Sequence, residues 1–155
     1  MKRMAYVLVT LAWITFGGAC AARADAAWLT DFAQVKKAAA EKKLPILADF
    51  SGSDWCGWCI KLDREVFAMA AFQDYAKTNL VLFLVDFPRK KTLDKQLAKQ
   101  NEQLAQKYGV EGFPTIILMD ATGKELARTG YQPGGAAAYV EHLRGLVTPG
   151  KPAAP

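Results

Sequence analysis

Histidine is almost absent from this chain: His142 is the only one in 155 residues. Cysteine is scarce as well, limited to Cys20, Cys56 and Cys59. These shortages restrict the chemistry. A structural zinc site wants four ligands, usually two Cys-x-x-Cys pairs or one pair with two histidines. One pair and one histidine fall short, and carboxylates would have to complete any such site. Haem attachment needs a histidine directly after the second cysteine; residue 60 is isoleucine, which excludes it. Internal repeats are missing too. No large charge excess exists either: the net charge is +5, with 23% charged and 52% hydrophobic residues. That balance describes a globular chain rather than a disordered one, and the length suits one domain.

The longest uncharged stretch lies at the start. After the basic "MKR", Met4 to Ala22 carries no charge, and "AARADAAW" follows with small residues at Ala22, Ala24 and Ala26. A basic opening, an apolar core and an A-x-A site describe a secretory signal peptide. Residues 1–24 are read as that peptide, with cleavage after Ala24 or Ala26. The alternative is an uncleaved membrane anchor, since about 18 apolar residues can span a bilayer. The "GGA" before Cys20 lacks the large aliphatic residue expected of a lipidation signal. Cleavage removes Cys20 and leaves Cys56 and Cys59 as a lone pair. It also removes Lys2, Arg3 and Arg23, so the charge falls to about +2. The basicity is largely a targeting feature and does not point to nucleic acid. An exported chain meets an oxidising compartment, where the pair need not be reduced.

Along residues 27–148 the pattern alternates. Thr30 is placed as the N-cap of an alanine-rich helix running to Lys43, with Asp31 in its first turn. Leu44–Phe50 reads as a buried strand with Pro45 near its start. Residues 51–54 form a loop. Helical spacing then runs from Cys56 to about Met69, with Ile60, Val66 and Phe67 on one side, and a shorter helix covers Phe72–Lys77. Leu80–Asp86 is a continuous apolar run, the mark of a strand buried on both faces. Thr92–Tyr108 is a polar helix closed by Gly109. Gly112–Met119 and Glu125–Gly130 form an antiparallel hairpin across Asp120–Gly123. A last helix covers Gly135–Val147, and the Pro-rich 149–155 is a disordered tail. This order predicts an α/β domain, a small mixed sheet with helices on both faces.

The cysteines fall just past the C-terminal end of the first strand, the edge where ligands collect in open α/β sheets. The pair can be an inert staple, although closing so short a loop gains little chain entropy. It can also be a redox couple. A helix N-terminus stabilises a thiolate, so Cys56 would attack and Cys59, one turn inside, would resolve a mixed disulfide. Gly57 would let a substrate chain come close.

Four features, in order, resemble the thioredoxin superfamily: Asp49-Phe50, Trp55-Cys56-Gly57-Trp58-Cys59, the block from Lys107 to Thr115, and the hairpin and final helix with Gly123 and Gly130. The resemblance covers about Trp28 to Val147. It implies a thioredoxin fold with a central mixed sheet of four to five strands. It implies a cis bond before Pro114, with the Phe113 backbone pairing with a substrate chain. Asp49 aligns with a buried carboxylate that exchanges a proton with Cys59, its alternative being a solvated strand-end aspartate.

The chain departs from thioredoxin in several places. "SGSD" is one residue longer, Trp58 replaces proline, Ile60 replaces lysine, and Leu82 is read as standing where a buried lysine is common. The segment from Phe87 to Gln106 is also longer. These features are closer to exported bacterial thioredoxin-like proteins and to the C-terminal domain of the membrane thiol–disulfide interchange reductase.

The resemblance implies a periplasmic thiol–disulfide oxidoreductase, with a reductase or interchange role preferred. The catalytic residues are then Cys56, Cys59 and Asp49, and the substrate-binding residues Trp55, Gly57, Trp58, Phe113 and Pro114. No metal is expected and no cofactor beyond the Cys56–Cys59 disulfide. The expected partners are protein thiols and disulfides and a membrane electron donor, with the chain a monomer. The alternatives are an oxidase or isomerase, or a binding or chaperone-like module without turnover. Trp55 and Trp58 have the alternative of plain packing or surface residues. Asp54 receives no role, Arg89-Lys90-Lys91 is read as a solvated charge run, and His142 as a surface or packing residue.

Overall fold

A computed structural model describes residues 26–147. Residues 1–24, read in sequence as a signal peptide, and 149–155, read as a disordered tail, lie outside the described residues. In chain order the elements are β1 (Trp28–Leu29), α1 (Phe32–Lys42), β2 (Ile46–Ser51), α2 (Gly57–Leu62), a π-helical turn (Asp63–Phe67), α3 (Ala70–Asn79), β3 (Val81–Asp86), α4 (Lys95–Lys107), β4 (Thr115–Met119), β5 (Glu125–Thr129) and α5 (Gly135–Val147). The five strands form one sheet in the order β1-β3-β2-β4-β5. β1, β3 and β2 run parallel, β4 pairs antiparallel with β2, and β5 pairs antiparallel with β4.

The strand alternation divides the core. Ile46, Ala48 and Phe50 of β2 meet Val35 and Ala39 of α1 and Leu104 of α4 on one face. Leu47 of β2 joins Leu62, Phe67, Phe72 and Tyr139 on the other, beneath α2, the π turn, α3 and α5. Asp49 has the parity of Leu47, so it points into the face covered by α2. That single fact of register sets the carboxyl behind the cysteines.

Several boundaries differ from the sequence reading. Asp31, not Thr30, caps α1: its Oδ1 accepts the Gln34 N–H at 2.7 Å. An aspartate one place later wins because its carboxylate reaches the third N–H of the helix. The two-residue β1 carries too little pattern to be read. α4 starts after Asp94, which accepts from the Gln96 and Leu97 N–H groups, rather than at Thr92. Gly109 follows α4 at φ +59, the left-handed region that stops the helix.

The helix after the cysteines is not uniform. It turns into a π segment at Asp63, and this rotates the later residues. Val66 and Phe67 are buried, whereas Ile60, expected on the same side, is 45% exposed. In the β2–β3 register Leu82 is level with Leu47 and Leu84 with Asp49, so both leucines share the face of Asp49.

Candidate active site

The site begins where β2 ends. Ser51 and Gly52 lead into a tight turn in which the Trp55 and Cys56 N–H groups both donate to the Gly52 carbonyl, at 3.2 and 2.8 Å. The turn delivers Cys56 as the N-cap of α2. Cys56 and Cys59 are joined as a disulfide. The Cys59 N–H points at Cys56 Sγ at 3.2 Å, the contact that would favour a thiolate there. Cys56 Sγ also lies 3.7 Å from the Phe113 carbonyl oxygen, and the Phe113–Pro114 peptide bond is cis. A Cβ on Gly57 would meet nothing within 4 Å, so the approach past Gly57 is open.

Trp55 is fixed on three sides. Its Nε1–H donates to the Phe87 carbonyl at 2.7 Å, and its ring meets Phe113 edge-on at 6.1 Å. The Arg89 guanidinium lies 3.6 Å from the ring centroid on its face. A Cβ on Gly52 would come within 2.5 to 2.9 Å of the Trp55 ring. Gly52→Ala is therefore expected to displace Trp55 and cost about 1–3 kcal/mol, measurable by urea unfolding together with a shift in tryptophan emission.

Trp58 has a different setting. It is 57% exposed, its ring is 5.2 Å from Tyr131, and Lys61 Nζ sits 5.1 Å from each ring. Tyr131 in turn donates its hydroxyl to Glu65 in the π turn at 2.9 Å.

Behind the disulfide lies a cavity of about 270 Å³ lined by Asp49, Cys59, Asp63, Ser51 and Leu84 among others. Asp49 is buried, and its Oδ1 has no hydrogen-bond partner among the described residues. Burial pushes the carboxyl up to about 8, and the nearby negative charges of Asp63 and Asp86 add to the shift. With Leu84 beside it, no lysine offsets that push. The one-residue-longer loop still leaves Asp49 and Cys59 on the same cavity wall.

Residues 32–143 match the thioredoxin-like domain. The chain belongs to the thioredoxin-like family. Among relatives of this thioredoxin-like chain, the disulfide bond reductase DsbH of Chlamydia pneumoniae is 37% identical over 123 residues, covering 79% of this chain and 74% of that one. A solved structure titled DsbH oxidoreductase superposes with a TM-score of 0.76 at 36% identity, over 80% of this chain and 85% of the other. The thiol:disulfide interchange protein DsbD of Colwellia psychrerythraea is 29% identical over 116 residues, which are 73% of this chain but 17% of that protein. This thioredoxin-like protein is a protein disulfide oxidoreductase with a Cys56–Cys59 pair. Among the described residues no group of three or more His, Cys, Asp or Glu could hold a metal ion, and no helix is long and apolar enough to cross a membrane.

The residues singled out in the sequence lie close together here: Asp49 and Cys59 line the cavity, Cys56 is joined to Cys59, Trp55, Gly57 and Trp58 are its chain neighbours, and Phe113, followed by Pro114, brings its carbonyl to Cys56. Two further features belong to the site's surroundings. Asp54 is more than a loop residue: its carboxylate accepts the Arg89, Lys90 and Lys91 N–H groups at 2.9, 2.8 and 3.3 Å. These contacts, that of Arg89 above all, hold its pKa below the usual carboxylate range. The Arg89–Lys91 run is correspondingly not free chain, since its backbone is tied to the active-site turn. Lys91 also pairs with buried Asp86 at 3.0 Å, and Asp86 accepts from the Ser53 N–H and hydroxyl. The sequence offered one signal for this: an aspartate directly before the Trp-Cys turn, a residue type that commonly caps backbone N–H groups. His142 on α5, read as a surface or packing residue, bonds the Thr129 hydroxyl at 2.8 Å through Nε2.

Proposed function

We propose that the protein is an exported disulfide reductase that acts on envelope proteins in the periplasm. Cys56 attacks one sulfur of a substrate disulfide, forming a mixed disulfide and releasing the first substrate thiolate. Cys59 then gives its proton to Asp49 and attacks Cys56 Sγ. The Cys56–Cys59 disulfide forms, and the second substrate thiolate leaves. Two electrons pass from the protein to the substrate, and a dithiol donor, such as a membrane electron-donor protein, returns them. The backbone at Phe113-Pro114 holds the substrate strand, while Trp55, Gly57 and Trp58 shape the entrance.

The observation that carries this reading is the placement of Asp49 on the cavity wall with Cys59. With its pKa raised to about 8, Asp49 holds a proton at neutral pH in the disulfide form. That is where a proton taken from Cys59 would end. The reducing direction is supported by the likeness to the disulfide bond reductase DsbH. Export rests on the basic, apolar and A-x-A pattern of residues 1–26.

The test uses the chain without its first 24 residues, reduced with dithiothreitol and freed of excess reagent. It should release one pair of thiols from a model disulfide per molecule and end as the Cys56–Cys59 disulfide. No thiol release would remove the reductase reading. For export, the intact mass of protein recovered from the periplasmic fraction should correspond to cleavage after Ala24 or Ala26. A full-length mass in the membrane fraction would count against it.

A further inference from the structure

The entrance to the disulfide carries two tryptophans, and each has a cation over its ring. Arg89 lies on Trp55 at 3.6 Å, and Lys61 lies over Trp58 and Tyr131 at 5.1 Å from each. Lys90 extends from the same loop as Arg89 and is exposed. Among the described residues none of these three is ion-paired with a carboxylate. Three of the acidic groups nearby are already engaged: Asp54 by three backbone N–H groups, Asp86 by Lys91 and Ser53, and Glu65 by Tyr131 and Arg64, while Asp63 lines the cavity behind the disulfide. The cations are also positioned. Asp54 pins the backbone of residues 89–91, and stacking restrains both the guanidinium and the ammonium.

We propose that Lys61, Arg89 and Lys90 form a cationic rim that selects polypeptides whose reactive cysteine is flanked by Asp or Glu. This deepens the reductase reading and rests on it for the reaction that follows docking. A chain reaching across Cys56 to the Phe113 backbone would lie against Trp55, whose ring meets Phe113, and near Trp58, two residues along from Cys56, and so within reach of the rim. Acidic side chains on either side of its cysteine would meet unpaired positive charge there. Basic flanks would be repelled. The mature chain's small net charge means that this preference is local to the entrance. Rim charges act chiefly on the rate of encounter and weaken as salt rises.

The test uses matched peptide disulfides that differ only in the residues flanking cysteine: Glu, Gln or Lys. Two readouts are taken: thiol release by the reduced protein, and mixed-disulfide capture by the Cys59→Ser variant. At low salt the Glu peptide should be captured about tenfold faster than the Lys peptide, and the gap should close in high salt. Arg89→Gln with Lys90→Gln should lower that ratio, and Asp54→Ala, which frees the loop, should lower it as well. Equal capture of all three peptides overturns the proposal, as does a ratio that the double variant leaves intact. Charge-selective capture without thiol release would defeat the reductase reading and leave the rim standing. Binding to phosphatidylglycerol vesicles without any peptide preference would assign the cations to a membrane surface and overturn the proposal.

Discussion

Replacing Cys56 with serine is expected to abolish thiol release, while Cys59→Ser stops the reaction one step later with the substrate attached. The difference follows from where the two sulfurs face. Cys56 opens towards Gly57, whose absent side chain leaves the approach clear, and towards the Phe113 carbonyl. Cys59 faces inward, onto the cavity that holds Asp49. A serine hydroxyl at position 56 is a far weaker nucleophile than a thiolate at neutral pH, and the loss should be about four orders of magnitude or more. Cys59→Ser keeps the attacking thiol and loses only the resolving one, so the mixed disulfide accumulates. Mass spectrometry of each variant after exposure to a peptide disulfide separates the outcomes. The Cys59→Ser variant should gain one peptide mass, and the Cys56→Ser variant should gain almost none. Either disulfide-free variant should still fold, because closing a four-residue loop contributes only about 2 kcal/mol or less.

The second large effect is on stability. Asp49→Asn should stabilise the oxidised protein, and increasingly so as pH rises. Below pH about 4 Asp49 is protonated in both the folded and the unfolded chain and favours neither. Between the ordinary value of 3.8 and about 8 the unfolded chain ionises it, while the folded chain keeps the proton. The folded state then binds more protons, so its stability falls with rising pH across that window. The slope is about 1.4 kcal/mol per pH unit, giving a total on the order of 5 kcal/mol by pH 9. An amide of the same size cannot ionise and escapes this loss. Thermal unfolding of the oxidised protein and the variant at pH 5, 7 and 9 measures the widening gap. A constant gap would mean that Asp49 is ionised in the folded state. The same variant should slow the resolving step by about a hundredfold, since Cys59 loses its proton acceptor.

The sequence made the centre of this site legible and its rim illegible, for physical reasons. Cys56 and Cys59 are neighbours in the chain, and Asp49 lies on the strand that leads into them, so local pattern was enough. The hairpin of β4 and β5 announced itself through Asp120–Gly123 in the same way. That Leu84 stands level with Asp49 is not legible in sequence, because it depends on inter-strand register, and a shift of two residues keeps the same face parity. The π turn at Asp63 is not legible in sequence, because an extra residue in a helical turn leaves the composition unchanged while it shifts Val66 and Phe67 relative to Ile60. The Asp54 clamp joins residues more than 30 positions apart, through backbone N–H groups that carry no residue identity. A charge run at Arg89–Lys91 looks the same in sequence whether it is free or tied down.

The reduction potential of the Cys56–Cys59 couple tests the central claim most directly, because it states which way electrons flow. Equilibration of the mature protein with dithiol buffers of known potential, followed by thiol alkylation and mass measurement, gives the value. A reductase should lie near thioredoxin, at about −270 mV. A value near about −120 mV, as in strongly oxidising members of the fold, would contradict the account and make the protein a donor of disulfides.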